Sequence, residues 1–131
     1  MSNAGRSLRV LVVDDSVDSA DSLALLLELD GHQVRTATDG LAALDVAVAF
    51  APQAVLLDVG LPRLDGYEVA RRLRCLDACR GSLLIALTGY GRPEDRAAAL
   101  AAGFDEHLTK PADPTVIASV IANYHGRSPI G

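Results

Sequence analysis

Asp14 and Asp15, Asp58, Thr88 and Lys110 come from four separated stretches of the chain, yet each stands at the end of a short strand-like run, at residues 8–13, 54–57, 83–87 and 107–109. If those runs are parallel strands, their C-terminal ends share one edge, where open sheets of this class place their sites. Three carboxylates brought together there repel, and one is pushed towards protonation unless a cation joins them. A hard divalent ion with oxygen ligands meets that need, and Mg²⁺ suits it because it keeps several waters and takes few protein ligands. A carboxylate is also a nucleophile towards phosphorus, giving an acyl phosphate. Transfer of a phosphoryl group requires its oxygens to be neutralised, here by the metal, the Lys110 ammonium, and the Thr88 hydroxyl with a neighbouring backbone N–H. The set contains no histidine, cysteine or serine, so zinc sites and hydrolase triads fit poorly. Singly, each residue has a plainer role: Asp14 and Asp15 as helix caps, Asp58 and Thr88 as turn caps, Lys110 as a surface cation. Jointly, those roles would require all five to reach one edge by accident.

The elements that must position these groups follow one rhythm. Residues 8–13 (LRVLVV) form a nearly continuous apolar run, the pattern of a buried strand. Asp14-Asp15-Ser16 then supplies N-cap chemistry for a helix with a stripe of Leu23, Leu26 and Leu27 and a stop at Asp30-Gly31. The unit repeats, with strands predicted at 33–37, 54–57, 83–87 and 107–109. Helices are predicted at 40–50 (ended by Pro52), 67–76, 93–103 and 113–124, with Pro93 at a first helical position. Five strands alternating with five helices predict an α/β fold, a doubly wound parallel sheet with helices on both faces and right-handed crossovers. The second strand brings no polar residue to the edge, as expected of a strand at the outside of the sheet.

With 131 residues, 13.7 kDa and 50% hydrophobic content, the chain has the material for one core. Charged residues make up 22% and the mean hydropathy is +0.23, which excludes intrinsic disorder. No apolar run approaches the ~18 residues of a membrane span, and no secretory signal pattern opens the chain. Membrane insertion is therefore not expected. The net charge of −5 and pI near 5.0 give no electrostatic footprint for direct nucleic-acid binding. Eleven of the twelve basic residues are arginine, leaving Lys110 as the one lysine. The two cysteines, Cys75 and Cys79, fit a reducing, cytoplasmic setting rather than a disulfide scaffold. Residues 1–7, with Ser2-Asn3-Ala4 reading as a vector scar, are set aside from a domain over 8–125, and 126–131 form a tail. His32 and His125 read as surface residues.

Four motifs, VLVVDDS at 10–16, LLDVGLPRLDGYE at 56–68, ALTGYG at 86–91 and HLTKP at 107–111, stand in order at family-like spacing. Together they make the chain resemble the receiver domain of two-component response regulators, the chemotaxis-regulator type. The resemblance implies a flavodoxin-like (βα)5 sandwich with sheet order 2-1-3-4-5. It makes Asp58 the phosphoacceptor, charged by the phosphohistidine of a histidine kinase or histidine phosphotransfer domain. Asp15 becomes a direct Mg²⁺ ligand with Asp58 and the Gly60 carbonyl, and Asp14 an acid that orients metal-bound water. Thr88 and Lys110 bind the phosphoryl group, and the bond before Pro111 is cis. Thr88 and His107 form the switch, reading out at the helix 4–strand 5–helix 5 face, residues 93–124, a surface that also allows a homodimer. His107 is the main departure, since many receivers carry tyrosine or phenylalanine there.

The flavour is that of receivers attached to hybrid sensor kinases, carried by Gly103-Phe104-Asp105 and Lys110-Pro111-Ala112-Asp113-Pro114. A phosphate sink or phosphorelay intermediate within such a kinase is the alternative role. No enzymatic activity is expected beyond self-phosphorylation and autodephosphorylation at Asp58, the latter slow because Gly60 and Tyr90 flank the acyl phosphate. Two other classes compete. A haloacid-dehalogenase-like phosphatase expects an aspartate two residues after its nucleophile and then a threonine, which Asp14-Asp15-Ser16-Val17-Asp18 does not offer. A flavodoxin-like cofactor binder wants a hydroxyl- and glycine-rich loop where this chain has two aspartates.

Overall fold

Strands β1 (Arg9–Val13), β2 (Gln33–Ala37), β3 (Ala54–Asp58), β4 (Leu83–Thr88) and β5 (Glu106–Thr109) lie in one parallel sheet of order β2-β1-β3-β4-β5. They alternate with helices α1 (Val17–Leu29), α2 (Gly40–Phe50), α3 (Gly66–Cys75), α4 (Pro93–Ala102) and α5 (Pro114–Ala122). This is a computed structural model, and it describes residues 7–61, 65–89, 93–110 and 112–122. The expected order and alternation are both found. β3 and β4 are buried along their whole length because helices cover both faces, so their sequences are unbroken apolar runs up to the last residue. β2 exposes Gln33, Arg35 and Thr36, as suits a sheet edge.

Two cores flank the sheet. One joins Leu11, Val13 and Leu57 to Val69 and Leu73 of α3 and Ala99 of α4. The other joins Val10, Val12, Leu56 and Ile85 to Leu27 of α1 and to Ile117 and Ile121 of α5. Three helices begin on the side-chain caps their sequences offer: Ser16 accepts the Ser19 N–H, Asp39 that of Ala42, and Asp65 that of Glu68. Gly66 opens α3 where the backbone passes so close to β3 that a Cβ would lie 2.4 Å from the Val59 Cα.

Some boundaries differ from the sequence reading. Asp58 and Thr88 are the last residues of β3 and β4 rather than the first of the loops, because the parallel ladder continues through the pairs Asp58–Leu87 and Thr88–Thr109. α5 begins at Pro114, since Asp113 turns its carboxylate to the Thr115 N–H and hydroxyl as a cap. A short 3₁₀ turn, Asp77–Cys79, follows α3; it buries Cys79 and leaves Cys75 exposed, both as free thiols. His32, expected at the surface, is buried, its Nδ1 accepting the Leu8 N–H at 3.1 Å. His125 lies outside the described residues. Among the described residues no helix is long and apolar enough to cross a membrane.

Candidate functional site

The C-terminal ends of β1, β3, β4 and β5 deliver the five anticipated residues to one edge. Asp14 leaves β1 with its N–H bonded to the Ala37 carbonyl, and its Oδ1 accepts the Ser16 N–H at 2.9 Å. This turn aims its second oxygen at the site and lets Ser16 cap α1, so the cap and the site share one motif. Asp58 is fixed at both oxygens: Oδ1 accepts the Gly60 N–H at 2.9 Å, and Oδ2 accepts from Lys110 Nζ at 2.9 Å. Lys110 reaches it because its own N–H bonds the Thr88 carbonyl, extending the β4–β5 pairing by one residue. The same ammonium stands 3.5 Å from Asp14 Oδ2.

The electrostatics follow from burial. Asp14 and Asp58 are only 5% and 7% exposed, whereas Asp15 faces solvent. Carboxylate oxygens of all three come within 4.8 Å of one another. Burial pulls the Lys110 ammonium towards deprotonation, but the Asp58 hydrogen bond and the charges of Asp58 and Asp14 outweigh it, holding its pKa above the ordinary lysine value. Lys110 is therefore a fixed cation against two of three crowded acids. The remaining donors are carboxylate oxygens with no nitrogen or sulfur among them, a set that suits Mg²⁺. Thr88 is buried, and its Oγ1 lies 3.2 Å from Nε2 of the half-buried His107.

Sequence reasoning did not find the Gly60 N–H on Asp58, nor the groove of about 370 Å³ that opens beside Asp14 and Lys110. Leu23 and Leu26 of α1 and Ile117 of α5 line it. The leucines were legible as a helical stripe, but their pairing with α5 is a tertiary fact. Pro111 and Tyr90, expected as a cis-proline and a shield over the acyl phosphate, lie outside the described residues.

Comparison with known proteins agrees with this geometry. The model of the response regulator receiver domain matches residues 10–122. An uncharacterized 14.6 kDa protein of Leptolyngbya boryana is 40% identical over 88% of each chain. The DNA-binding dual master transcriptional regulator RpaA of a Synechocystis strain is 34% identical over 80% of this chain, which spans 44% of that regulator's length. Among solved structures, chemotaxis protein CheY4 of Vibrio cholerae superposes with a TM-score of 0.84 at 28% identity, covering 88% of this chain and 97% of that one. The receiver domain of a Pseudomonas aeruginosa sensor histidine kinase gives 0.79 at 29% identity, covering 88% and 95%. That structure holds a magnesium ion coordinated in its active-site cleft.

Proposed function

The chain belongs to the response regulator receiver domains of two-component systems, and from that premise we propose that Asp58 accepts a phosphoryl group from the phosphohistidine of a partner kinase or phosphotransfer domain. The observation that carries the reading is the fixed Asp58 carboxylate, held by the Lys110 ammonium at 2.9 Å and crowded by Asp14 and Asp15.

A carboxylate oxygen of Asp58 attacks phosphorus as the phosphorus–nitrogen bond to the partner's imidazole breaks, leaving that ring neutral after it takes up a proton. Lys110 then moves its hydrogen bond from the carboxylate to a phosphoryl oxygen, and the Thr88 hydroxyl and a loop N–H hold the others. Asp15, Asp58 and the Gly60 carbonyl would hold Mg²⁺, with Asp14 orienting its water; the ion supplies positive charge where phosphoryl charge gathers. The groove between α1 and α5, apolar along Leu23, Leu26 and Ile117, ends at Asp14 and Lys110 and suits a partner surface that presents its histidine there. The phosphorylated site then acts on the face formed by α4, β5 and α5. The chemistry stays on Asp58, and the chain turns over no released substrate.

Acetyl phosphate with Mg²⁺ should add one phosphoryl group, seen by intact mass, and EDTA present during the incubation should suppress the labelling. Asp58→Asn should abolish it. Labelling of Asp58→Asn at the native rate would overturn the assignment. Steady release of nitrophenol from para-nitrophenyl phosphate would overturn the non-enzymatic reading.

A further inference from the structure

The contact between Thr88 and His107 constrains the chemistry of both side chains. His107 pairs with Ala86 in the β4–β5 ladder, and its Nε2 lies 3.2 Å from Oγ1 of Thr88 at the end of β4. The same ring lines a groove of about 260 Å³ against α4, together with Arg96, Leu100, Phe104 and Glu106. One imidazole thus connects the hydroxyl beside the acceptor site to a surface groove.

A threonine hydroxyl has a single hydrogen, and a neutral imidazole has one N–H and one bare nitrogen. On the acceptor reading above, on which this inference rests, phosphorylation turns the Thr88 hydrogen to a phosphoryl oxygen, because a charge-assisted hydrogen bond is about twice as strong as a neutral one. Oγ1 then offers His107 only lone pairs. A bare Nε2 at that distance would set two acceptors against each other, and the contact survives only if Nε2 carries the proton. We propose that phosphorylation of Asp58 fixes His107 in its Nε2–H tautomer, so that His107 donates to Thr88 while Thr88 donates to the phosphoryl group. Nδ1 is then bare, a hydrogen-bond acceptor on a side chain that lines the α4–β5 groove. The exchange is charge-neutral: a ring that held its proton on Nδ1 releases it to water and takes one up at Nε2. His107 acts through Thr88 and is a positioning residue, and the bare Nδ1 favours a partner that brings an N–H or O–H to the groove.

The test is ring ¹⁵N NMR of histidine-labelled protein with Mg²⁺ and beryllofluoride, at pH 8. Arg96, Asp105 and Glu106 line the same groove, and the ring ¹⁵N shifts separate the two neutral tautomers from each other and from the doubly protonated ring. His107→Phe identifies the His107 signals, and ¹⁹F NMR of the same samples reports occupancy at Asp58. The expected result is bound fluoride with His107 protonated at Nε2 and bare at Nδ1. His107→Phe should bind beryllofluoride about fivefold more weakly, the worth of one neutral hydrogen bond, and His107→Gln, whose amide can donate, should recover most of that loss. Bound fluoride with a bare Nε2, or unchanged affinity in His107→Phe, overturns the relay while leaving the acceptor reading intact. Absence of bound fluoride overturns the acceptor reading and the relay with it.

Discussion

At His32 a titratable ring is buried at the edge of the sheet opposite the site. Its Nδ1 accepts the Leu8 N–H, so the proton sits on Nε2, and that atom is buried without a hydrogen-bond partner among the described residues. A second proton would place two N–H groups against each other. Burial lowers the pKa below the ordinary 6.5, and the charge of Asp30 opposes it only in part. The folded chain thus binds this proton less readily than the unfolded chain. The stability His32 lends is complete above about pH 6.5 and is lost as pH falls below it towards the depressed folded value. Melting curves should show wild type losing stability between pH 6.5 and pH 5 faster than His32→Gln, a neutral residue that can still accept the Leu8 N–H. Parallel curves through that window would show that His32 is not the group responsible. This role was not legible in the sequence, because a histidine between Gly31 and Gln33 belongs to no periodic stripe. Its burial comes from the alignment of β1 with β2.

Elements show the same division between what local pattern carries and what tertiary contact adds. β1, β3 and β4 were legible because strands covered on both faces must be apolar throughout, and α2 was legible to the residue as an alanine-rich run ended by Pro52. The clasp made by Arg74 was not legible. From the last turn of α3 it donates to the Ser82 carbonyl at 2.7 Å, the Gly103 carbonyl at 3.0 Å and Asp105 Oδ2 at 2.7 Å, partners that lie 8, 29 and 31 residues away. Asp105 Oδ2 in turn accepts the Leu84 N–H, so one guanidinium ties α3 to β4 and to the turn before β5. Removing it leaves part-buried carbonyls without their charged donor. Arg74→Ala should therefore cost about 1.5–3 kcal/mol in urea unfolding. Arg71→Ala, which removes only an exposed pair with Glu68, should cost under ~1 kcal/mol. Equal losses would remove the clasp's special standing. Gly66 tests a different junction. The added methyl of Gly66→Ala meets backbone at Val59 and Asp58, which cannot rotate away as a side-chain tip can. A loss of about 1–3 kcal/mol is expected. Because the displaced backbone carries Asp58, acetyl phosphate labelling should slow as well, and an unchanged labelling rate would show that α3 does not set the acceptor's position.

For the whole molecule the decisive fact is that folding gathers charge the unfolded chain keeps apart. Seventeen acidic residues outnumber twelve basic ones, and the fold brings Asp14, Asp15 and Asp58 within 4.8 Å of one another. That convergence was legible before any coordinates, since polar residues at the ends of parallel strands have only one edge to share. The hydrogen-bond pattern that fixes each carboxylate was not. Lys110 answers Asp58 and Asp14, and Asp15 is left facing solvent beside them. Mg²⁺ should therefore bind the folded chain and have little affinity for the unfolded one, which makes it a stabiliser by mass action. At ten times its dissociation constant the gain is about 1.4 kcal/mol, or roughly 4–6 °C in Tm for a domain of this size. Screening alone would lift the melting temperature only slightly, and sodium chloride at matched ionic strength measures that part. Asp15→Asn should reverse the pattern. With one repelling charge removed it should melt above wild type in EDTA, yet gain much less from Mg²⁺ because a ligand is missing. If sodium matches magnesium in wild type, or if Asp15→Asn keeps the full magnesium shift, the three acids do not form a cation site.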